Sequence, residues 1–503
     1  MEQPSPNPLK VVATVAVWLL AIANLYYLRV ADPDLWWYLR CGEDILTSGQ
    51  IRQVDAYSFT AAGRPHLNHE WLTEVLFAFA FQQVGPAGLV GLKLAAGIGF
   101  LIVFHRLLRL HSDDARVYLP MLLLAAHAVG RFALLRPQTF TFLFFAATLW
   151  VLELDRRQRT NALWYLPPLL CLWANMHAAC AVGVALIGYY FVMAAAARDV
   201  SAKRLGVVLT LSALATLLNP FGWDLWRCAV QGLFDPLNKT YVEEWRPVLG
   251  GPLTWNSVMF FTMVAFSGGA LALARSRRWG DAILWLIFVA LGMSAPRHIP
   301  LFAIVAVPLA TRWLADWTSR QAESRRLRLA LASVAGVVLV PALLTAYFAL
   351  LDPRPRVRIR DMHYRGFPFE AVELLRQQPQ GGNVWTELEW GGYLLWKAGP
   401  KWKVSIDGRN TTVYPRNVVE DHFRLASSEL PANDVLSRYP IDVCLLHRDR
   451  KFAEALANNE RWQKVYEDSI AVMFWNHTSA NMQFGGAHRF SMRPKELFLE
   501  QGE

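Results

Sequence analysis

ADPDLWWYLRCGEDILTSGQIRQVDAYSFTAAGRPHLNHEW, residues 31–71, decides how the rest of the chain is read. It follows directly on an apolar run, Val11 to Val30, long enough to span a bilayer. Asp32 and Asp34 therefore stand at a membrane boundary. A carboxylate against hydrocarbon is disfavoured by about 3 kcal/mol on insertion scales, so acids at the end of a spanning helix mark a functional site by default. A lone Asp reads equally well as a polar exit from the membrane. Here the pair is followed by Trp36, Trp37 and Tyr38, then by His66, Asn68, His69 and Glu70.

Outward from that stretch the chain is too apolar for a soluble globular protein of its size: 503 residues, 54% hydrophobic, 18% charged, with 21 Trp. Val11 to Val30 has no small-residue cleavage site before Asp32 and reads as a signal anchor. Further apolar runs lie at about 87–108, 117–131, 137–153, 162–175, 178–197, 205–219, 255–275, 281–294, 298–315 and 328–350. The reading is a polytopic α-helical membrane protein with about eleven transmembrane helices. Trp71 to Val84 is shorter and carries Glu74, Gln82 and Gln83, so it reads as a helix lying in the interface, a twelfth span being the alternative.

That choice sets the topology. Arg106, Arg109 and Arg116, then Arg156, Arg157 and Arg159, then Arg198, Lys203 and Arg204, then Arg275, Arg277 and Arg278, then Arg312 to Arg328 all fall on one side. The positive-inside rule makes that side, and the N-terminus, cytoplasmic. The net charge of +10 is explained by these loops and calls for no nucleic acid. Arg136 and Arg297 fall on the other side, against the trend. Each reads either as a snorkelling helix-end Arg or as a partner for an anion. Five scattered cysteines imply neither a disulfide framework nor a zinc site.

After Leu351 the character changes. Residues 352–366 are a Pro- and Arg-rich linker, 367–476 read as an extracytoplasmic soluble α/β domain, and 477–503 as a tail. Strands are expected at 383–386, 403–406, 442–446, 463–466 and 470–474, and helices at 368–376, 418–426 and 452–458.

In order along the chain, the residues on the non-basic side resemble the GT-C class of membrane glycosyltransferases. Within it the chain looks most like the catalytic subunit of oligosaccharyltransferase and related polyprenyl-phosphate-sugar transferases. Four short motifs carry the resemblance: Asp32, Pro33 and Arg40 after the first span; Glu243, Glu244, Trp245, Arg246 and Pro247 in a long loop; Ser294 to Pro300, with Arg297 and His298, at a late span; and Glu389, Trp390, Gly391, Gly392 and Tyr393, followed by Asp407 to Asn410, in the soluble domain. The resemblance implies Asp32, Asp34 and Glu244 as catalytic acids, with Arg297 near the lipid phosphate. It also implies a divalent metal, Mg²⁺ or Mn²⁺, on Asp32, Asp34 and Glu244. Where the oligosaccharyltransferase pattern has a second acidic pair, this chain has Gly130, Arg131, Phe132, Arg136, Pro137 and Gln138. A hard cation needs several oxygen ligands, so this departure puts metal dependence in doubt.

The same chemistry follows from the residue types. Moving a sugar off a polyprenyl phosphate needs a carboxylate to take the acceptor proton and cations to stabilise the departing phosphate. Asp32 and Asp34 fit the first role; Arg297, Arg136, Arg131 and His298 fit the second. His66, Asn68, His69 and Glu70 could bind sugar hydroxyls, shuttle protons or hold a metal, but the H-x-N-H-E spacing has no strong metal geometry. His177, beside Asn175 in a break between two runs, is a supporting candidate. Trp36, Trp37, Trp223 and Trp245 read as sugar-stacking platforms or as an interfacial aromatic belt.

The expected activity is transfer of a sugar or glycan from a polyprenyl-linked donor to an unknown glycan, lipid or protein acceptor on the outer face of the cytoplasmic membrane. A lipid-linked glycan flippase and a catalytically silent relative acting in binding or assembly are the other readings. Transporters tend to show duplicated halves, and no repeat is visible here.

Overall fold

The computed structural model describes residues 8–26, 32–158, 160–251, 253–274, 279–319 and 366–478, with parts of 336–347. The run expected at 328–350, the linker and most of the tail lie largely outside the described residues. The chain forms two compact units. Unit 1 comprises Met1–Asp32, Cys41–Ile51 and Leu67–Met362; unit 2 comprises Pro33–Arg40, Arg52–His66 and His363–Glu503. Parts of the opening loop thus belong with the C-terminal domain, which a boundary placed near residue 352 does not anticipate.

Most helices of unit 1 lie on the apolar runs, whereas those at Leu35–Ser48, Trp71–Val84, Asp224–Phe234 and Pro236–Tyr241 lie outside them. In chain order the helices are α1 (Pro8–Tyr26), α2 (Leu35–Ser48, which continues into unit 1 from unit 2), α3 (Trp71–Val84), α4 (Pro86–His111), α5 (Ala115–Gly130), α6 (Gln138–Gln158), α7 (Leu166–Met176) and α8 (Cys180–Ala196). After these come α9 (Ala202–Ala215), α10 (Asp224–Phe234), α11 (Pro236–Tyr241), α12 (Trp255–Leu273), α13 (Trp279–Ser294) and α14 (Ile299–Thr318). Short polar residues start several of them. Asp114 accepts from the N–H of Arg116, and Thr254 accepts from that of Ser257, each satisfying an otherwise orphaned first-turn donor. Gly85, at φ +65°, takes the left-handed turn between α3 and α4, and Pro86 then opens α4.

Three segments, Pro86–His111, Trp255–Leu273 and Pro296–Thr318, are long and apolar enough to cross a membrane among the described residues. The third is 94% buried against 39% and 33% for the others, so α14 is the central post of the unit. It packs on α5, α12 and α13. Phe302 on α14, Phe260 on α12 and Phe145 on α6 are fully enclosed in the core. Arg312, expected in a basic loop, lies within α14, buried, its NH1 2.8 Å from Asp281 Oδ2. Asp281 also takes Arg156 NH1 at 2.9 Å. Hydropathy windows cannot see that an Arg near a helix end has an acid waiting on the neighbouring helix.

Unit 2 is a five-stranded mixed sheet in the order β2-β1-β3-β5-β4. The strands are β1 (Gly382–Thr386), β2 (Trp402–Val404), β3 (Val443–His447), β4 (Trp462–Glu467) and β5 (Ala471–Asn476), close to the expected segments. β2, β1 and β3 run parallel, in register Val384 with Val404 and Val443; β5 is antiparallel to both β3 and β4. Around it lie α15 (Phe369–Gln377), α16 (Leu388–Ala398), α17 (Arg416–Ala426), α18 (Ala432–Arg438) and α19 (Lys451–Ala457). Gly391 and Gly392 sit inside α16. A Cβ on Gly391 would collide with the Ile406 carbonyl, so the glycine lets the helix lie directly on the chain leaving β2.

The segment Arg52–His66 is bound into this unit. Phe59 N–H donates to Val404 O at 3.2 Å and Val404 N–H donates to Tyr57 O at 3.2 Å, covering the β2 edge. Arg409, fully buried, donates NH1 to Asp55 at 2.6 Å and Nε and NH2 to Asp407 at 2.9 and 2.6 Å. Two carboxylates thus match the planar guanidinium fork.

Candidate functional site

Four charged side chains from four separate parts of unit 1 form one chain of contacts. Asp32 precedes α2, Arg136 lies in the turn between α5 and α6, Glu244 is in the turn Glu243–Trp245, and Arg297 is in the turn Pro296–His298 that leads into α14. Arg136 Nε donates to Asp32 Oδ1 at 2.8 Å. Its NH1 reaches both oxygens of Glu244 at 3.2 Å, and Arg297 NH1 donates to Glu244 Oε1 at 3.2 Å. Asp32 is 5% exposed and Arg136 16%, so these charges interact with little solvent screening. Burial by itself would raise the Glu244 carboxyl, but Arg136 and Arg297 outweigh it and hold the group below the usual range, as a carboxylate.

Trp245 supports this arrangement from below. Its ring lies 4.0 Å under the Arg297 guanidinium, and the edge of His298 meets it at 5.8 Å. Ser294 Oγ donates to Leu291 O at 2.6 Å and lies 2.9 Å from His298 Nδ1. The hydroxyl proton is thereby committed, so Ser294 accepts from Nδ1–H and His298 Nε2 keeps its lone pair. Arg131 donates Nε to Asn256 Oδ1 at 2.7 Å.

A second cluster stands where α3 begins and α7 ends. Glu70 Oε1 is 3.6 Å from His69 Nε2 and 3.5 Å from His177 Nε2. Asn68 Oδ1 accepts from Glu70 N–H, and its amide donates to Glu74. Trp71 Nε1 donates to Asn175 Oδ1 at 3.1 Å, and Thr73 Oγ1 to Met176 O at 3.0 Å, fastening the start of α3 to the end of α7. Burial, then His69 and Arg297, lower His177 well below the usual imidazole range and keep it neutral. Burial opposes a proton on His69, but the sulfur of Cys228 and the carboxylate of Glu70 outweigh it and raise the ring to about 10.

The sequence candidates thus divide. Asp32, Arg136, Glu244, Arg297, Trp245 and His298 meet in one cluster; Asn68, His69, Glu70 and His177 meet in the other. Asp34 belongs to unit 2, where its carboxylate lies against Gly408 so closely that a Cβ there would collide with it. His66, also of unit 2, is buried and donates its backbone N–H to Gln53 O at 2.8 Å. Trp36 is a core residue of unit 2, stacked on Trp396 at 5.0 Å, and Trp37 is buried, so neither ring offers an open sugar platform. Trp223 is 61% exposed. Asn256, Thr141 and Cys228 join the clusters without any motif to single them out.

The residues do not fit a hard divalent cation on Asp32, Asp34 and Glu244. The Arg136 guanidinium already contacts both Asp32 and Glu244, where an Mg²⁺ or Mn²⁺ ion would need those oxygens. A fixed cation of the chain stands between two of the acids on which the resemblance implied a metal.

No family model matches the chain, and no curated protein matches it in sequence. Solved structures do match its fold. The apo oligosaccharyltransferase of Archaeoglobus fulgidus matches with a TM-score of 0.61 at 13% identity, over 89% of this chain and 70% of that one. ArnT from Cupriavidus metallidurans, bound to undecaprenyl phosphate, matches with a TM-score of 0.53 at 14% identity, over 93% and 98%. Its apo form gives 0.55 at 14% identity. At these identities the likeness is one of architecture, and it extends over nearly the whole chain: the chain has the fold of the GT-C membrane glycosyltransferases.

Proposed function

We propose that this chain is an inverting membrane glycosyltransferase that moves a sugar or glycan from a polyprenyl phosphate or diphosphate to an acceptor on the outer face of the cytoplasmic membrane. One observation carries the reading: the unbroken relay Asp32, Arg136, Glu244, Arg297. Asp32 takes the acceptor proton as the acceptor's nucleophilic atom bonds to the anomeric carbon. The bond from that carbon to the phosphate oxygen breaks, and the phosphate leaves with its electron pair. Arg297 gives one N–H to Glu244 and offers the rest of its fork to the phosphate. Arg136 donates to Asp32 and adds positive charge beside it. Glu244 fixes both guanidiniums.

Eleven spans, a cytoplasmic N-terminus and an extracytoplasmic α/β domain complete the proposal. The spans rest on the apolar runs and the orientation on the one-sided distribution of Arg and Lys. The fold of the ArnT complex supports a polyprenyl-phosphate partner. The test is purified full-length protein in proteoliposomes given labelled polyprenyl-phosphate and polyprenyl-diphosphate sugars. Release of polyprenyl phosphate coupled to a glycosylated acceptor supports the proposal. Translocation of intact donor without cleavage overturns it.

A further inference from the structure

The His69, Glu70 and His177 cluster is built like a metal site, and it uses none of the acidic positions that the GT-C resemblance pointed to. The three ligand atoms lie within 4.8 Å of one another, on His69, Glu70 and His177, the last two buried. The distances decide between an ion-pair cluster and a ligand set. Charge-assisted N–H···O bonds run at about 2.7–2.9 Å. The two imidazole Nε2 atoms stand instead at 3.6 and 3.5 Å from Glu70 Oε1, too far for such bonds. Ligands held at about 2.1 Å around a tetrahedral zinc ion lie about 3.4 Å apart, close to both observed spacings.

The far sides of the rings agree. His177 Nδ1 is 2.9 Å from Thr141 Oγ1, itself held by Trp173 Nε1–H at 3.0 Å. His69 Nδ1 is 3.4 Å from the Leu67 carbonyl and 4.0 Å from Cys228 Sγ. Both rings are thus anchored through Nδ1 and present Nε2 to the carboxylate, as metal-bound imidazoles do. Two imidazoles and one carboxylate suit a borderline divalent ion such as Zn²⁺ and serve Mg²⁺ poorly.

We infer that His69, Glu70 and His177 bind a zinc-class divalent cation, with Thr141 and the Leu67 carbonyl orienting the two imidazoles. Three protein ligands leave at least one position for water or an anionic oxygen. The inference stands apart from the glycosyltransferase reading, because binding is measured without turnover.

The test uses the full-length protein in detergent, purified without a polyhistidine tag, stripped with chelator and titrated with Zn²⁺ alone and with Co²⁺ alone. The expected result is saturable binding of about one Zn²⁺ per chain that Mg²⁺ does not displace. Co²⁺ should give the intense visible bands of a four- or five-coordinate site. His69→Gln combined with His177→Gln should abolish binding, and Thr141→Val should weaken it roughly tenfold. Monodispersity and thermal melts check that the variants fold. If the double variant fails to fold, the Co²⁺ spectrum of the unaltered chain decides by itself. A spectrum of free aqueous Co²⁺, or Zn²⁺ stoichiometry unchanged in a folded double variant, overturns the inference.

Discussion

Arg136 donates Nε–H to Asp32 Oδ1 at 2.8 Å, so the acid that follows the first apolar run is held by the turn between α5 and α6. The same guanidinium reaches Glu244 through NH1. Removing it leaves two partly buried carboxylates facing each other without their shared cation. Arg136→Ala is expected to destabilise unit 1 by on the order of 3 kcal/mol and to abolish transfer. Arg136→Lys, which keeps the charge but loses the planar fork, should recover stability better than turnover. Thermal melts beside a transfer assay check this, and equal recovery of both would show that only the charge matters.

Asp32→Asn keeps an acceptor oxygen for Arg136 but no base. With Asp32 as the group that takes the acceptor proton, kcat should fall by roughly 10²–10⁴-fold while the donor KM changes little. Steady-state kinetics at saturating donor give the split. An unchanged kcat would move the base elsewhere.

Trp245 lies 4.0 Å under the Arg297 guanidinium and so sets where that cation points. Trp245→Leu removes a contact of about 1 kcal/mol, equivalent to roughly a five-fold rise in donor KM, while kcat is largely kept. A comparable fall in kcat would show that the ring acts in the transition state as well as in donor binding.

Asp407 in unit 2 carries a pH dependence with a definite sign. Burial would raise its carboxyl, but Arg409, with help from Tyr414, outweighs burial and holds it below the usual range. The unfolded chain takes up that proton near pH 3.9, so the stabilisation is fully present above that value and is lost as pH falls through the lower folded value. Tryptophan-fluorescence melts from about pH 6 to about pH 3 should show an acid-side decline for the parent that is shallower in Asp407→Asn. Identical slopes would assign the decline to other carboxylates.

The sequence by itself determined the elements. An apolar run such as Val11 to Tyr26 satisfies its backbone internally as a helix, and short stretches with β-branched and aromatic residues such as Asn383 to Thr386 lay down the strands. It also marked Asp32 and Arg297, because charge at the end of an apolar run is costly unless something binds it, whereas Glu244 was marked only by the resemblance of the motif Glu243 to Pro247. Only the tertiary structure decided how these residues pair. That Arg136 would stand between Asp32 and Glu244, and so displace the expected metal, depends on three turns far apart in the chain. Likewise H-x-N-H-E had no metal geometry in one dimension, since its third ligand, His177, comes from the end of α7. Gly391 and Gly392 were legible as glycines but not as a helix interior, because what they make room for, the Ile406 carbonyl and Pro33, comes from elsewhere in unit 2. Local periodicity follows from each residue's own polarity and shape, whereas a site is a set of distances between segments that meet only when the chain packs.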